Sequence, residues 1–315
     1  MRIMIASPTH IATGGTELLQ QLCNSLRMIG ADAYMYYFSP IENTPVEEKF
    51  SHYSNPYVRS VDDVEENVLI VSETNIGILY RYHKCKKIIW WLSVDNYYGT
   101  KVKLSTKYKL LSFINPLLIR KVLNCVQSEY AREYLIDDIS VDPNKIMYLS
   151  DYISEKYVAE ADEFMERDNI IVYNPKKGLE FTKKLMASIS NYVWVPLINL
   201  TEDQMISTIK RSKVYVDFGN HPGKDRIPRE AALLGCCIIT GKRGAAGNSI
   251  DVPIPSRYKF DEDEIDSISE RINECMTDYI RVSKDFDKYR EIILNEKKEF
   301  KNDTIKLFQL INQEG

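Results

Sequence analysis

The residues best suited to chemistry lie in the stretch DFGNHPGKDRIPRE, residues 217–230, between a strand-like run and a helix-like one. Lys224 and Arg226 offer positive charge and hydrogen-bond donors to a phosphate group. Glu230, at the predicted start of a helix, can accept two sugar hydroxyls, although a carboxylate there also stabilises the helix without a ligand. His221 is a further candidate contact, but a single loop histidine is more often packed than catalytic. The stretch therefore indicates an anion-binding loop, with helix capping as the alternative.

Two further loops carry residues that suit a diphosphate. Lys176 and Lys177 follow the apolar run NIIVYNP, and the carboxyl end of a parallel strand would hold them near a ligand. Gly14 and Gly15 precede a helix-like segment; glycine takes backbone angles that other residues avoid, and a helix N-terminus favours anions. A solvated basic turn and an ordinary strand–helix turn are the alternatives. The glycines form neither GxGxxG nor a P-loop, which disfavours nicotinamide cofactors and P-loop nucleotide binding.

These loops require a scaffold of parallel strands, and the apolar pattern predicts one. Short strand-like runs alternate with segments whose apolar residues recur at helical spacing, as in β-α-β units. The predicted strands are residues 2–7, 32–39, 67–72, 87–93 and 124–128 in the first half, and 169–175, 192–198, 213–219 and 236–241 in the second. Thr16 and Thr201 are candidate N-caps, and Gly30 is a candidate helix stop. The predicted fold class is α/β, with two Rossmann-like doubly wound domains.

The length of the chain predicts two domains, because 315 residues exceed one ordinary hydrophobic core. The predicted divisions are an N-terminal Rossmann-like domain at 1–150, an acidic connecting segment at 151–168, a C-terminal Rossmann-like domain at 169–282 and a charged helical tail at 283–315. Two such domains facing each other would form a cleft at the carboxyl ends of both sheets, where α/β folds bind ligands.

The composition argues against several classes of protein. A net charge of −4 disfavours general nucleic-acid binding. The six cysteines form no CxxC pair and have no histidine at metal spacing, which is typical of buried thiols in a reducing cytoplasm. The acidic runs at 62–66 and 261–264 do not indicate a metal site, and we expect neither a metal nor a cofactor. No signal peptide and no apolar run of about 18 residues is present, so a cytoplasmic protein is expected.

The order of these motifs resembles that of GT-B glycosyltransferases. The resemblance rests on GGTE before the first helix, on KKG after the first strand of the second domain, and on PREAALLG followed by CIITG. The segments WWLSVDN and SEYAREYL also resemble the N-terminal domain of bacterial polysaccharide glycosyltransferases. The chain is most similar to the retaining, nucleotide-sugar-dependent members, and the match runs in order through most of its length.

The resemblance implies a nucleotide diphosphate-sugar donor and assigns roles to particular residues. Glu230 matches the second glutamate of the E-x7-E motif, which holds the donor ribose; Lys177 matches the lysine that contacts the diphosphate, and Gly15 the glycine loop over it. Pro222 stands eight residues before Glu230, where the family has the first glutamate. His221, Lys224 or Asp225 would have to replace it, so the donor sugar and the retaining or inverting outcome stay open. GT-B enzymes generally stabilise the leaving diphosphate with cationic side chains and a helix end instead of Mg²⁺.

A basic run covers residues 84–121, where nine Lys or Arg face a single acid, Asp95, among Trp and Tyr residues. Such a segment suits the surface of an anionic membrane and hence a lipid-linked acceptor. An amphipathic core helix with a solvated face is the alternative. Asp95, which follows WWLSV, is the candidate acceptor-side residue, and it would act as a base only in an inverting reaction.

The sequence therefore predicts a glycosyltransferase that moves a sugar from a nucleotide diphosphate donor to a glycan or lipid-linked glycan in bacterial surface polysaccharide synthesis. Its expected location is the cytoplasm, in peripheral contact with the inner face of the membrane. The alternatives are a non-catalytic nucleotide-sugar-binding or partner subunit, which the missing first glutamate favours, and a nucleotide-sugar 2-epimerase.

Overall fold

A computed structural model describes residues 1–39, 45–97, 114–161 and 166–313. Contacts divide the chain into two compact units, which are described separately. The N-terminal unit comprises Met1–Asp151 together with Lys298–Gly315, and the C-terminal unit comprises Tyr152–Lys297. Part of the basic run, residues 98–113, lies outside the described residues.

The N-terminal unit is built on a seven-stranded sheet in the order β3-β2-β1-β4-β5-β6-β7, and every pair in it is parallel. The strands are β1 (Ile3–Ser7), β2 (Ala33–Tyr37), β3 (Tyr57–Val58), β4 (Val68–Ser72), β5 (Lys86–Trp91), β6 (Leu123–Val126) and β7 (Ile146–Tyr148). Its helices include α1 (Gly14–Met28) and α2 (Glu129–Asp137), and residues 73–81 form 3₁₀ turns.

The central strands of this sheet are predominantly apolar because both of their faces are covered. All five residues of β1 and of β4 are buried. The two tryptophans that end β5 are also buried, and their indole N–H groups find acceptors: Trp90 donates to the carbonyl of Leu149 at 3.0 Å, and Trp91 to the side chain of Asn124 at 2.9 Å. These hydrogen bonds fix the carboxyl end of β5 and thereby the point at which the following loop begins.

The C-terminal unit is built on a five-stranded parallel sheet in the order β12-β11-β10-β8-β9. Its elements are α3 (Glu155–Ala159), β8 (Asp168–Tyr173), α4 (Leu179–Ser188), β9 (Val193–Pro196), α5 (Glu202–Arg211), β10 (Ser212–Asp217), α6 (Arg226–Leu233), β11 (Cys237–Gly241), β12 (Lys259–Phe260), α7 (Ile265–Thr277) and α8 (Tyr279–Val282). Strand β10 lies between β8 and β11, and the apolar core packs around these three strands.

The long helix α9 (Asp287–Gln313) belongs to both units. Its first part contributes Glu296 to the C-terminal unit, where Arg229 donates to that carboxylate at 2.8 Å. Its last part packs in the N-terminal unit, where the ring of Phe300 stacks on Trp90 with centroids 6.4 Å apart. The segment predicted as a helical tail at 283–315 is therefore shared between the two cores.

The predicted strands are confirmed, and three short ones were missed. Strands β3, β7 and β12 have two or three residues each and lie at sheet edges, where no apolar run is needed. Thr201 caps α5 in a capping box, and Gly30 follows α1 with a φ of +88°. The cap of α1 is Thr13, and the prediction of Thr16 was wrong because the helix begins at Gly14.

All six cysteines are free and buried, as the apolar setting of each predicted. Among the described residues, no helix combines the length and the apolar character that crossing a membrane requires.

Candidate functional site

Three loops meet at the carboxyl edge of the C-terminal sheet. They follow the strands β8, β10 and β11 and comprise residues 174–178, 218–225 and 242–247. Because the strands are parallel and adjacent, their carboxyl ends lie at one edge, and the loops come together there. This edge carries Lys176, Lys177, His221, Lys224 and Arg226, five of the residues that the sequence predicted to bind a ligand.

The first two loops pack so closely that glycine is required in both. Gly178 has a φ of +66°, and a Cβ placed on it would lie 2.5 Å from the backbone nitrogen of Gly219. A Cβ on Gly219 would in turn lie 2.6 Å from the Cβ of Lys177. Any larger residue would push the two loops apart, and the left-handed angle at Gly178 disfavours other residues independently. The position of Lys177 therefore depends on this contact.

Lys177 reaches across to the second loop. Its ammonium group forms an ion pair with Asp225 and donates to the carbonyl of Asn220 at 3.2 Å. Burial lowers the pKa of Lys177, while the charge of Asp217 opposes that shift. Lys176 is exposed, and its backbone N–H donates to the side chain of Asn174 at 3.0 Å. Lys177 is therefore a held, partly buried cation, and Lys176 is a solvated one.

Behind Lys177 lies a buried chain of ionisable groups. His221 has no exposed surface; its Nε2 lies 3.5 Å from a carboxylate oxygen of Asp217, and its Nδ1 lies 3.5 Å from one of Asp225. Asp217, the last residue of β10, also accepts hydrogen bonds from Tyr215 Oη at 2.7 Å and from the N–H of Gly219 at 2.8 Å. His221 was predicted to contact the ligand, but in the structure its ring is enclosed by these two carboxylates.

The ionisation of Asp217 follows from its neighbours. Burial by itself would raise the pKa of Asp217, but the adjacent His221 ring, followed by the charge of Lys177 and the hydroxyl of Tyr215, holds it below its ordinary value. Asp217 is thus an anion inside the protein. The ligand atoms of Asp217, His221 and Asp225 lie within 4.8 Å of one another, a grouping that could hold a metal ion. The ammonium of Lys177 already supplies a cation at Asp225.

Lys224 at the end of the second loop and Arg229 in α6 both bind to helix α9. Arg229 is fully buried and donates to Glu296 at 2.8 Å, and Lys224 lies 2.7 Å from the other carboxylate oxygen of Glu296. Arg229 also donates to the backbone carbonyls of Asp225 and Lys224, at 3.2 and 3.0 Å. Lys224 was predicted to contact the nucleotide-sugar donor. In the structure it forms an ion pair with Glu296, which holds the second loop against α9.

Arg226 and Glu230 lie on the first turns of α6. The helix begins at Arg226 after Asp225, so Glu230 lies inside it, and the prediction that Glu230 stands at the start of a helix was wrong. The Nε of Arg226 lies 3.5 Å from Glu230 Oε1, and the Glu230 carboxylate is 6% exposed. The pair places a hydrogen-bond donor and an acceptor one turn apart in α6, with Arg226 as the first residue of the helix.

In the N-terminal unit, Gly14 and Gly15 form the first turn of α1. Neither has a positive φ, so the special backbone angles predicted for them are not present. A Cβ on Gly15 would lie 3.7 Å from Leu92, an ordinary contact. These glycines present a helix N-terminus to the edge where β1 ends, without the strained loop that the sequence suggested.

Two carboxylates lie at the carboxyl edge of the N-terminal sheet. Asp95 follows β5, is partly buried, and accepts a hydrogen bond from Tyr130 Oη at 3.1 Å. Glu73 follows β4 directly and is 3% exposed; its carboxylate accepts the backbone N–H of Leu92 at 3.0 Å. Burial raises the pKa of Glu73 to about 7, against the opposing effect of backbone hydrogen bonds. Glu73 can therefore hold or release a proton near neutral pH.

Sequence reasoning missed several of these residues. Asp217 carried a usable signal, because it ends the buried run KVYVD at a strand terminus. Glu73 carried a weaker one, since it ends the equally apolar run VLIVSE. Glu296 carried none, because its partners Lys224 and Arg229 lie in a distant part of the sequence.

No protein-family model and no curated protein matches the sequence, whereas solved structures match its fold. A glycosyltransferase from Rickettsia africae aligns with a TM-score of 0.70 at 11% identity, over 100% of this chain and 99% of that one. Sucrose-phosphate synthase from Thermosynechococcus elongatus aligns at 0.65 and 12%, over 99% and 98%. Anabaena HepE, solved in complex with UDP-glucose, aligns at 0.63 and 12%, over 99% and 98%. The predicted GT-B fold, with two parallel-sheet α/β domains, is thereby confirmed.

Proposed function

We propose that this protein is a glycosyltransferase that moves a sugar from a nucleotide diphosphate donor to a glycan or lipid-linked glycan acceptor. The observation that carries the proposal is the held cation at Lys177, on a loop whose position two glycine contacts impose. Such a preorganised cation at the carboxyl edge of a parallel sheet suits a diphosphate. The GT-B fold supports the same proposal, because the structures it resembles include a glycosyltransferase and a protein solved in complex with UDP-glucose.

At the donor end, we assign the diphosphate to Lys177 and Lys176 and the ribose hydroxyls to Glu230. Arg226, which lies 3.5 Å from Glu230, orients that carboxylate. His221 and Lys224 act one layer behind, since His221 has no exposed surface and Lys224 is paired with Glu296. Gly14 and Gly15 are the proposed contacts from the N-terminal unit, through the N–H groups of the first turn of α1.

The chemistry asked of these residues is stabilisation of a leaving nucleotide diphosphate. Negative charge grows on the diphosphate as the glycosidic bond breaks, and a fixed ammonium group stabilises that charge more in the transition state than in the ground state. One well-placed donor of this kind is worth roughly 3–4 kcal/mol of barrier. No step in this scheme requires a metal ion.

At the acceptor end, we assign Asp95 and add Glu73. Glu73, whose pKa burial raises to about 7, can accept a proton from a sugar hydroxyl or return one to it. Asp95 would serve as a base if the reaction inverts. The basic run at 84–121 supports an acceptor at an anionic membrane surface, which is consistent with a role in bacterial polysaccharide synthesis at the cytoplasmic face.

The identity of the donor can be tested directly. The purified protein is incubated with radiolabelled UDP-, GDP-, dTDP- and CMP-sugars, and the products are separated by chromatography. Transfer or slow hydrolysis of one donor is expected. UDP-glucose is the first to test, because HepE was solved with it. Conversion of the sugar without release of nucleotide would instead support the 2-epimerase.

Binding without turnover would support the second candidate function, a nucleotide-sugar-binding partner subunit. The specific observation that favours it is Pro222, which stands where the family has its first glutamate. A ligand present at 100 times its Kd stabilises the folded protein by about 2.7 kcal/mol, which a thermal-shift assay detects. The absence of both a shift and turnover with the whole panel would contradict both functions.

A further inference from the structure

Basic residues from the two ends of the run at 84–121 line a cavity on the N-terminal unit, together with basic residues from outside the run. The cavity has a volume of about 430 Å³ and lies at the amino ends of β5, β6 and β7. It is therefore on the edge of the sheet opposite to Asp95 and Glu73, which follow the carboxyl ends of β5 and β4. It is a separate feature from the candidate functional site.

Five basic side chains line this cavity, and none of the described lining residues is acidic. They are His83, Lys86, Lys87, Lys121 and Lys145. Within the part of the chain that the structure describes, no carboxylate lies within 4.0 Å of the ammonium groups of the four lysines, whereas exposed lysines such as Lys49, Lys156 and Lys297 form ion pairs. The four lysines thus concentrate positive charge in the cavity without forming a described ion pair.

Two of these lysines are held in place by backbone carbonyls. Lys86 donates to the carbonyl of Ile311, near the end of α9, at 3.1 Å, and Lys145 donates to the carbonyl of Lys121 at 3.2 Å. Each ammonium group has three donors, so one such bond leaves donors for another acceptor. The carbonyls orient the charges without cancelling them, as a binding site for an anion requires.

The rest of the wall is apolar. Ile88, Leu118, Val122, Leu123 and Leu310 line it. A cavity of this volume falls within the range of small-molecule sites and exceeds what a single inorganic ion would fill. A ligand that matches both surfaces carries a doubly charged anionic group on an organic body. Lysines bind phosphate as point charges, and the cations among the described lining residues are lysines and one histidine.

We propose that this cavity is a binding site for an organic phosphate, with Lys86 and Lys145 as its principal phosphate contacts. Two sources offer that chemistry: a small molecule such as glycerol 3-phosphate, and the headgroup of an anionic phospholipid. The cavity contains none of the residues proposed to bind the donor, so loss of binding here and loss of donor turnover are distinguishable outcomes.

The test measures hydrogen–deuterium exchange of the full chain with each source. One arm adds glycerol 3-phosphate, and the other adds phosphatidylcholine vesicles with or without phosphatidylglycerol. Protection at residues 83–88, 118–123 and 144–146 is expected. Protection by glycerol 3-phosphate supports a soluble ligand, and protection by the anionic vesicles alone supports a lipid headgroup. No protection in either arm overturns the proposal, whatever happens at residues 174–178 of the donor site.

Variants with matched charge changes locate the effect. Lys86→Gln with Lys145→Gln should raise the half-saturating concentration roughly tenfold or more. Lys298→Gln with Lys301→Gln removes the same charge from exposed positions of α9 and should leave it unchanged. Equal behaviour of the two double variants would overturn the assignment.

Two further checks guard against a folding defect. Unchanged exchange at β4 without ligand shows that the variant unit is folded. If the first pair perturbs it, Lys87→Gln with Lys121→Gln leaves both anchored lysines in place and should still weaken binding. Raising the salt concentration from about 0.1 M to 1 M shortens the screening length from about 10 Å to 3 Å and should weaken protection as well.

Discussion

Arg229 in α6 donates a hydrogen bond to Glu296 in α9 at 2.8 Å, and the two residues lie 67 positions apart in the sequence. Arg229 has no exposed surface and Glu296 is 3% exposed, so the pair is shielded from water. Lys224 shares the same carboxylate. This carboxylate accounts for one cation of the second loop, Lys224, and for one of the helix that follows it, Arg229, because it gives both a buried partner on α9.

Removing the charge of Glu296 should destabilise the protein more than an ordinary surface change. Glu296→Gln leaves the buried charge of Arg229 without a carboxylate to balance it. Breaking a buried ion pair by removing one partner costs about 3–5 kcal/mol. We expect a loss of that order in the free energy of unfolding, measured by urea denaturation. Glu291→Gln, at an exposed position of the same helix, is the control. A difference below about 1 kcal/mol between the two variants would contradict the structural role of the pair.

Substituting Gly178 should open the contact between the first two loops. Gly178→Ala introduces a Cβ 2.5 Å from the nitrogen of Gly219 at a φ of +66°, and backbone strain of this kind alone costs roughly 1–3 kcal/mol. Both the free energy of unfolding and the affinity for nucleotide should fall. Gly77→Ala is the matched control, since nothing lies within 4 Å of a Cβ there. Nucleotide affinity that survives Gly178→Ala unchanged would separate this contact from the function.

Lys177 should matter for turnover. If its ammonium stabilises the leaving diphosphate, Lys177→Ala should lower kcat/KM for the donor by roughly 10²–10³. Lys183→Ala, which removes an exposed lysine from α4, should not. Equal kcat/KM values for the two variants would remove Lys177 from the site.

The pH dependence of nucleotide binding supplies a second readout of Lys177. Because burial lowers its pKa from 10.5, the ammonium loses its proton at a lower pH than an ordinary lysine does. Affinity for UDP should therefore fall as the pH rises, beginning below 10.5. Lys177→Arg stays charged throughout and should flatten this decline. Calorimetric titrations from neutral to alkaline pH would reveal it, and coincident profiles would count against a role for this charge.

Glu73 should make stability depend on pH near neutrality. Its pKa is raised by burial from 4.5 to about 7 in the folded protein, so the folded state keeps a proton that the unfolded chain has lost. The resulting stability is complete below pH 4.5 and is lost as the pH rises through 7. A shift of this size corresponds to roughly 3 kcal/mol.

A neutral variant isolates that effect. Glu73→Gln should remove most of the fall in the free energy of unfolding between pH 5 and pH 8, because an amide cannot ionise. Glu66→Gln, at an exposed position just before β4, should keep it. Denaturation curves at several pH values would decide, and parallel profiles for wild type and Glu73→Gln would mean that Glu73 ionises normally.

Local patterns were sufficient where the structure depends on neighbours in sequence. The strands β1, β4, β10 and β11 are almost entirely buried, and β5 and β8 contain buried apolar segments, so their apolar runs predicted them. Thr201 and Gly30 act within one turn of their own helices. The edge strands β3, β7 and β12 are too short to leave a pattern, and the cap at Thr13 was hidden by a second threonine three residues on.

The sequence by itself determined the two-part α/β architecture and drew attention to the loops at 174–178 and 218–225, because strand periodicity and turn residues are local properties of the chain. Only the tertiary structure decided what each charge in those loops contacts. It buried His221 between Asp217 and Asp225, joined Lys177 to Asp225, and gave Arg229 a partner on α9. Burial and ion pairing arise from segments distant in sequence that packing brings together, and no window of neighbouring residues contains that information.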